Sequence, residues 1–175
     1  MHNRLNFAAA AAAVQEIASP ADLCTVSASF RGVPHRLQRV LSARGITFIN
    51  SSIDTSPTRT AAALSALSHS PIVIAGGRGK GISLAPLAEA LVRHAKAVFL
   101  YGEAAEEIEK EIGGRLPAFT YARFARAFEG ACALARAGDV VLLSPGCTAF
   151  GEFRDFEERG ECFCRLAQAF AGKDI

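Results

Sequence analysis

The chain has 175 residues, half of them hydrophobic, with 19 basic and 17 acidic side chains and a formal charge of +2. A chain of this size and apolar content can bury a substantial core, which argues against disorder and suits one domain, or one domain with a piece of another. The charges are spread along it with no basic run and no stacked aromatic platform, so nucleic acid is not an expected partner.

Residues 4 to 17 are rich in alanine and free of Gly and Pro, which predicts a helix that Ser19-Pro20 ends before a second short helical stretch. An alanine helix has a thin apolar face and needs something to pack on. Its apolar part, Phe7 to Val14, is too short to span a bilayer and lacks the pattern of a secretory leader, so the expectation is a soluble, cytoplasmic protein with no membrane partner. Two short strands, Leu37 to Ser42 and Ile46 to Asn50, flank Ala43-Arg44-Gly45, a hairpin turn. The pattern then alternates: helix 58–68, strand Ile72 to Ala75, helix 84–94, strand Ala97 to Tyr101, helix 104–112, a weak strand Ala118 to Thr120, helix 123–136, strand Val140 to Leu143 and helix 156–171.

This alternation predicts an α/β fold, a Rossmann-like three-layer sandwich around a mainly parallel sheet of about six strands. Ligands gather at the carboxyl ends of such strands. Those ends are Asn50 onward, Gly76 to Gly81, Tyr101-Gly102 and Ser144 to Gly151, where most of the polar and Gly-rich sequence lies. The cysteines, Cys24, Cys132, Cys147, Cys162 and Cys164, form an odd set without a C-x-x-C pair, so reduced thiols and no metal site are expected.

Gly76-Gly77-Arg78-Gly79-Lys80-Gly81 follows a strand and precedes a helix, so its amides and cations can face an anion. It is neither a P-loop nor a dinucleotide fingerprint, and by pattern alone it reads equally as a flexible turn with solvated charges. By pattern alone, too, His35-Arg36 reads as a surface or capping pair, Asn3 as the N-cap of the alanine helix, and Ser56 or Thr58 as the cap of the next helix.

The segment Ser144-Pro-Gly-Cys-Thr-Ala-Phe-Gly-Glu-Phe-Arg-Asp-Phe-Glu-Glu-Arg-Gly160 closely resembles a signature near the end of the Mur ligases, in particular those that add D-glutamate to UDP-N-acetylmuramoyl-L-alanine. Three further segments resemble the same family in the same order: His2-Asn3-Arg4-Leu5-Asn6 before the alanines, Gly32-Val33-Pro34-His35-Arg36, and Asn50 to Thr60. The resemblance implies a lysine, Lys80, that pairs with a carboxylate of the incoming amino acid, in a pocket shared with Thr55, Ala149, Phe150 and Phe156. It implies nucleotide contacts from Asn3, Asn6, His35, Arg36 and Ser51.

Three positions depart from the pattern. Ser51 stands where an acid is usual, with Asp54 three residues later as a possible substitute, Ala149 stands for a serine, and Gly151 for an aspartate. Loss of the hydroxyl at 149 removes a hydrogen bond to the amino acid worth about 0.5–3 kcal/mol. Glu157, Arg159 and Gly160 are read as the start of the last helix, and Cys147 as a packed residue.

Such ligases use ATP and magnesium to convert the UDP-muramoyl-alanine carboxylate into an acyl phosphate, which the amino acid's amino group attacks, in the synthesis of peptidoglycan for the cell wall. They divide the work among three domains. This chain carries no G-x-x-G-K-[ST], so residues 1–31 are expected to be the helical end of the central ATPase domain and 32–175 the amino-acid-binding C-terminal domain. No complete catalytic set and no magnesium ligands are then expected in it, and the chain alone is expected to be an inactive monomer. The rival reading is a stand-alone Rossmann-like binding module, with Ser51, Ala149 and Gly151 as marks of drift. Folylpolyglutamate synthases share the third-domain architecture, but their motifs are not recognised here.

Overall fold

The computed structural model describes residues 2–30 and 32–172, with side chains from residue 6 onward. It divides into two compact units, Met1–Val33 and Pro34–Ile175. The first holds α1 (His2–Ala13) and α2 (Pro20–Ser29). Helix α1 stops four residues short of the expected end, because the chain tightens into a turn in which the Ile17 and Ala18 N–H groups both donate to Val14 O at 2.9 Å. Ser19 then opens α2 with a reciprocal cap: its hydroxyl accepts from Asp22 N–H, the Asp22 carboxylate accepts from Ser19 N–H, and Pro20 occupies the first helical position. Neither Ile17, Val26 nor Phe30 finds cover; they are 87, 52 and 62 % exposed.

The second unit is a six-stranded sheet in the order β1-β2-β6-β3-β4-β5, formed by β1 (Gln38–Ala43), β2 (Ile46–Asn50), β3 (Ile72–Gly76), β4 (Ala97–Tyr101), β5 (Ala118–Tyr121) and β6 (Val140–Gly146). Strands β2 to β6 run parallel, and β1 joins the edge antiparallel through the hairpin. The hairpin turn is Arg44-Gly45, both at positive φ (54° and 77°), which suits the twist of a tight two-residue connection.

The middle strands bury both faces. Along β3, Val73 and Ala75 pack with Leu64, Leu87 and Ile108 from α3 (Pro57–Ser65), α4 (Ala85–His94) and α5 (Ala105–Ile112). Ile72 and Ile74 pack on the other side with Phe128 and Phe163 from α6 (Phe124–Leu134) and α7 (Phe156–Gly172). That double burial is why these strands are unbroken apolar runs instead of alternating ones.

Strand β6 runs three residues beyond the expected Leu143, through Ser144-Pro145-Gly146, and the β3–β6 register skips between Ile74 and Gly76 to accommodate them. A proline cannot donate to a ladder, so the skip lets Gly146 pair with Gly76 past it. At this pair the chain leaves β3 for α4 on one face and β6 for α7 on the other. Loops that part in this way open a crevice at the carboxyl edge of the sheet.

Candidate functional site

The loops after β3 and β6 are stitched together at the crevice. Arg78 N–H donates to Thr148 O at 3.2 Å, Thr148 N–H donates back to Arg78 O at 3.0 Å, and the Thr148 hydroxyl adds a bond to Arg78 O at 2.9 Å. The exposed Lys80, two residues beyond this bridge, donates to the Thr55 hydroxyl at 3.4 Å, so two of the sequence-predicted residues meet across the loops after β3 and β2. Ala149 and Phe150 follow Thr148 and line a cleft of about 420 Å³ with Gly77, Tyr101, Gly102 and Glu103. Ala149 is 5 % exposed and Phe150 is 54 % exposed. Lys80 and Thr55 are not among the residues lining that cleft.

The loop after β2 turns its polar groups inward. Ser51 is wholly buried, with its hydroxyl accepting from Leu37 N–H at 3.0 Å and its own N–H donating to Leu143 O at 2.8 Å. Its side chain thus serves the loop's interior, where the sequence reading gave it to the nucleotide. Asp54, the possible substitute for the missing acid, also points inward and accepts from the Ser144 hydroxyl at 2.8 Å.

Burial pushes the Asp54 carboxyl above its ordinary 3.8, while hydrogen bonds from Ser51 and Ser144 and the charges of Arg59 and Arg36 pull it back. With the folded value raised, the native state keeps this proton longer than the unfolded state. The associated stability is full below about pH 3.8 and is lost as pH rises through the folded value. Asp54→Asn is therefore expected to gain stability relative to the parent as pH rises from about 3 to about 7. Urea midpoints at intervals over that range check it, and parallel curves for the two proteins would refute it.

His35 and Phe156, expected to serve different ligands, touch each other: their rings meet edge to face with centroids 6.0 Å apart and planes at 84°. His35 Nδ1 lies 3.0 Å from Asn50 Nδ2, which also donates to Gly160 O at 3.2 Å. A Cβ on Gly160 would strike the His35 ring, so the glycine in α7 is what lets the imidazole lie against the helix. Arg36 is exposed beside it. Asn6 is exposed on α1, and the Asn3 side chain lies outside the described residues. Helix α1 already includes His2, so Asn3 is not its cap.

The sequence reading placed Arg159 only in the start of the last helix, where it indeed lies, and gave it no further task. It is 0 % exposed and ties the loops together, with Nε donating to Ser52 Oγ at 2.9 Å, Nη2 to Ser52 O at 3.0 Å, and Nη1 to Tyr101 Oη at 3.3 Å and Cys147 O at 3.2 Å. One signal was available: a cation in the first turn of a helix opposes the helix dipole, so Arg159 should have another task. Beside it, burial pushes the Cys147 thiol up to about 11, which leaves it protonated near neutral pH and unfit as a nucleophile.

With this geometry in view, residues 35–147 match the family described as Mur ligase, glutamate ligase domain. The chain belongs to that family. Among curated proteins similar to this Mur ligase domain, the UDP-N-acetylmuramoylalanine--D-glutamate ligase of Chromohalobacter salexigens is 39 % identical over 93 % of this chain and 37 % of its own length. The protein of the same name from Desulfitobacterium hafniense is 40 % identical over 95 % of this chain, again covering 37 % of its own length. The chain thus spans well under half the length of these relatives.

The fold is shared with more distant ligases. UDP-N-acetylmuramate-alanine ligase from Thermotoga maritima superposes with a TM-score of 0.72 at 17 % identity, covering 97 % of this chain and 38 % of its own. Bifunctional folylpolyglutamate synthase/dihydrofolate synthase from Yersinia pestis gives 0.60 at 15 % identity, covering 87 % and 34 %. Among the described residues, no helix is long and apolar enough to cross a membrane.

Proposed function

We propose that this chain is the amino-acid-binding part of an ATP-dependent ligase that adds D-glutamate to UDP-N-acetylmuramoyl-L-alanine in peptidoglycan synthesis. The observation that carries the reading is the meeting of Lys80 and Thr55 at 3.4 Å, on loops tied to the segment of Ala149 and Phe150 by the Arg78–Thr148 bridge and by the Gly146 N–H bond to Asp54 O. An ammonium on a flexible stem, next to a hydroxyl and flanked by glycines, is suited to a free carboxylate. The names of the relatives support glutamate as the amino acid that carries it.

In this reading residues 1–31 belong to the helical end of the ATPase domain and 32–175 form the C-terminal domain of a cytoplasmic monomer. Phe150 and Phe156 wall the amino acid's apolar stem, and Arg36 and His35 face the nucleotide. In the same reading magnesium is held by residues outside this chain. The sequence holds no G-x-x-G-K-[ST], and formation of the acyl phosphate is assigned to residues outside these 175.

Lys80→Ala is expected to weaken D-glutamate binding by about 10- to 100-fold, the worth of a charge-assisted contact, with no change in unfolding midpoint because the side chain is exposed. Calorimetric titration of both proteins tests this. Equal affinities, or no binding by the parent, would favour the second reading, a stand-alone module without catalysis. The burial of Ser51 and the lack of a hydroxyl at Ala149 are the observations on that side.

A further inference from the structure

Arg159 is buried without a counter-ion. Its four hydrogen bonds all end on neutral oxygens, and among the described residues no carboxylate lies within 4.0 Å of it. It also stands in the first turn of α7, where the helix's own amides are already positive. Both features disfavour a cation, and a staple for neutral oxygens needs no charge, since an amide could donate to Ser52 O and Cys147 O with far less desolvation.

The position explains what the charge is for. A Cβ on Gly77 would strike the Thr148 carbonyl and come within 3.4 Å of Arg159 Nη1, so the guanidinium lies close behind the backbone of Gly77, which lines the cleft. Tyr101, which accepts from Nη1, lines the same cleft. Of the other cations near this edge, Arg78 is held by Glu103 through bonds of 2.7 to 3.1 Å, whereas Lys80 and the cleft-lining Arg123 are exposed to solvent, which screens them. Among the described residues no carboxylate lies within 4.0 Å of Arg159, and of the two carboxylates that line the cleft Glu103 is held by Arg78 and Glu152 accepts from Phe124 N–H, so the charge of the guanidinium reaches the cleft floor without an ion-pair partner.

We infer that Arg159 is a positioning and selectivity residue: it locks the ends of β2, β4 and β6 together, and its unpaired charge makes the cleft floor prefer an anionic group. That the anion is the carboxylate of glutamate rests on the function proposed above; the charge of the floor does not.

The test is calorimetric titration of the whole chain with D-glutamate, D-glutamine and inorganic phosphate, for the parent, Arg159→Met, Arg159→Lys and Ser52→Asp. Ser52→Asp keeps the guanidinium and supplies the counter-ion it lacks. The parent should prefer glutamate over glutamine by about tenfold or more, the size of one partly screened charge interaction. That preference should shrink to within about twofold in Arg159→Met and in Ser52→Asp, and survive in Arg159→Lys even if both ligands bind more weakly.

A purely structural role would lower the affinity for both ligands equally and leave their ratio alone. A folded Arg159→Met or Ser52→Asp with the parent's ratio overturns the inference and leaves the glutamate reading standing; should the methionine variant not fold, Ser52→Asp decides alone. If the parent does not prefer glutamate, the glutamate reading fails and phosphate decides. A loss of phosphate affinity of about tenfold in the variants upholds the charged floor, and unchanged or absent phosphate binding overturns it.

Discussion

Gly76→Ala is expected to destabilise the fold by about 3–5 kcal/mol, the sum of a glycine-only backbone conformation and a clash with rigid neighbours. Gly76 ends β3 at φ +122°, and a Cβ there would run into the main-chain oxygen of Tyr101, with Tyr101 N at 3.0 Å and C at 3.1 Å. These atoms belong to the backbone of β4, which cannot yield without breaking the Gly76–Tyr101 pairing and the bond from Gly77 N–H to Tyr101 O at 2.9 Å. With a urea slope of about 2 kcal/mol per molar, the midpoint should fall by roughly 1.5–2.5 M. Gly79→Ala three residues on is the control: a Cβ there meets nothing within 4 Å and the backbone is ordinary, so a change within about 0.5 kcal/mol is expected. A Gly76→Ala midpoint that matched the Gly79→Ala one would disprove the close approach. The same substitution should also disturb ligand binding, because Gly76 launches the loop that carries Lys80.

Phe48→Ala should cost about 3–5 kcal/mol for a different reason, the loss of a large buried side chain and the cavity left behind. Phe48 is 0 % exposed and sits among Phe128, Phe163 and Phe170, with ring centroids 5.9, 6.3 and 5.5 Å away. It is thus the point at which β2 holds both α6 and α7, and the packed walls allow little collapse into the void. Phe48→Leu keeps most of the volume and should cost about 1.5 kcal/mol or less. Phe150→Ala, at a half-exposed ring, should leave the midpoint within about 0.5 kcal/mol of the parent while altering the cleft. Thermal and urea unfolding of the three variants give the comparison, and a Phe48→Ala protein no weaker than Phe150→Ala would refute this account of the core.

Much of the sheet was readable in the chain because buried parallel strands are written as short apolar runs. Ile72 to Ala75, Ala97 to Tyr101 and Val140 to Leu143 each stand between helical stretches, and each is a strand. The extension of β6 over Pro145 was not readable, since a proline argues for the end of a strand until a register skip in its neighbour makes room. Of the candidate site, the loops were readable as Gly-rich segments at strand ends, and so was the order of motifs that resembles the Mur ligases. What each side chain does within those loops was not. Ser51 and Asp54 look like loop polar groups that face solvent, yet both are turned inward to partners 14 and 90 residues away in sequence.

The sequence by itself determined the alternation of strand and helix, the hairpin at Arg44-Gly45, the family and the four strand ends that carry its polar residues, because local propensity, periodicity and motif spacing are all properties of neighbouring residues. Tertiary structure alone decided the strand order that inserts β6 between β2 and β3, the contact of His35 with Phe156 and Gly160, and the burial of Arg159 under Gly77. Those depend on which distant segments share the carboxyl edge of the sheet, where one guanidinium can meet Ser52, Tyr101 and Cys147 only after the strands between them have paired.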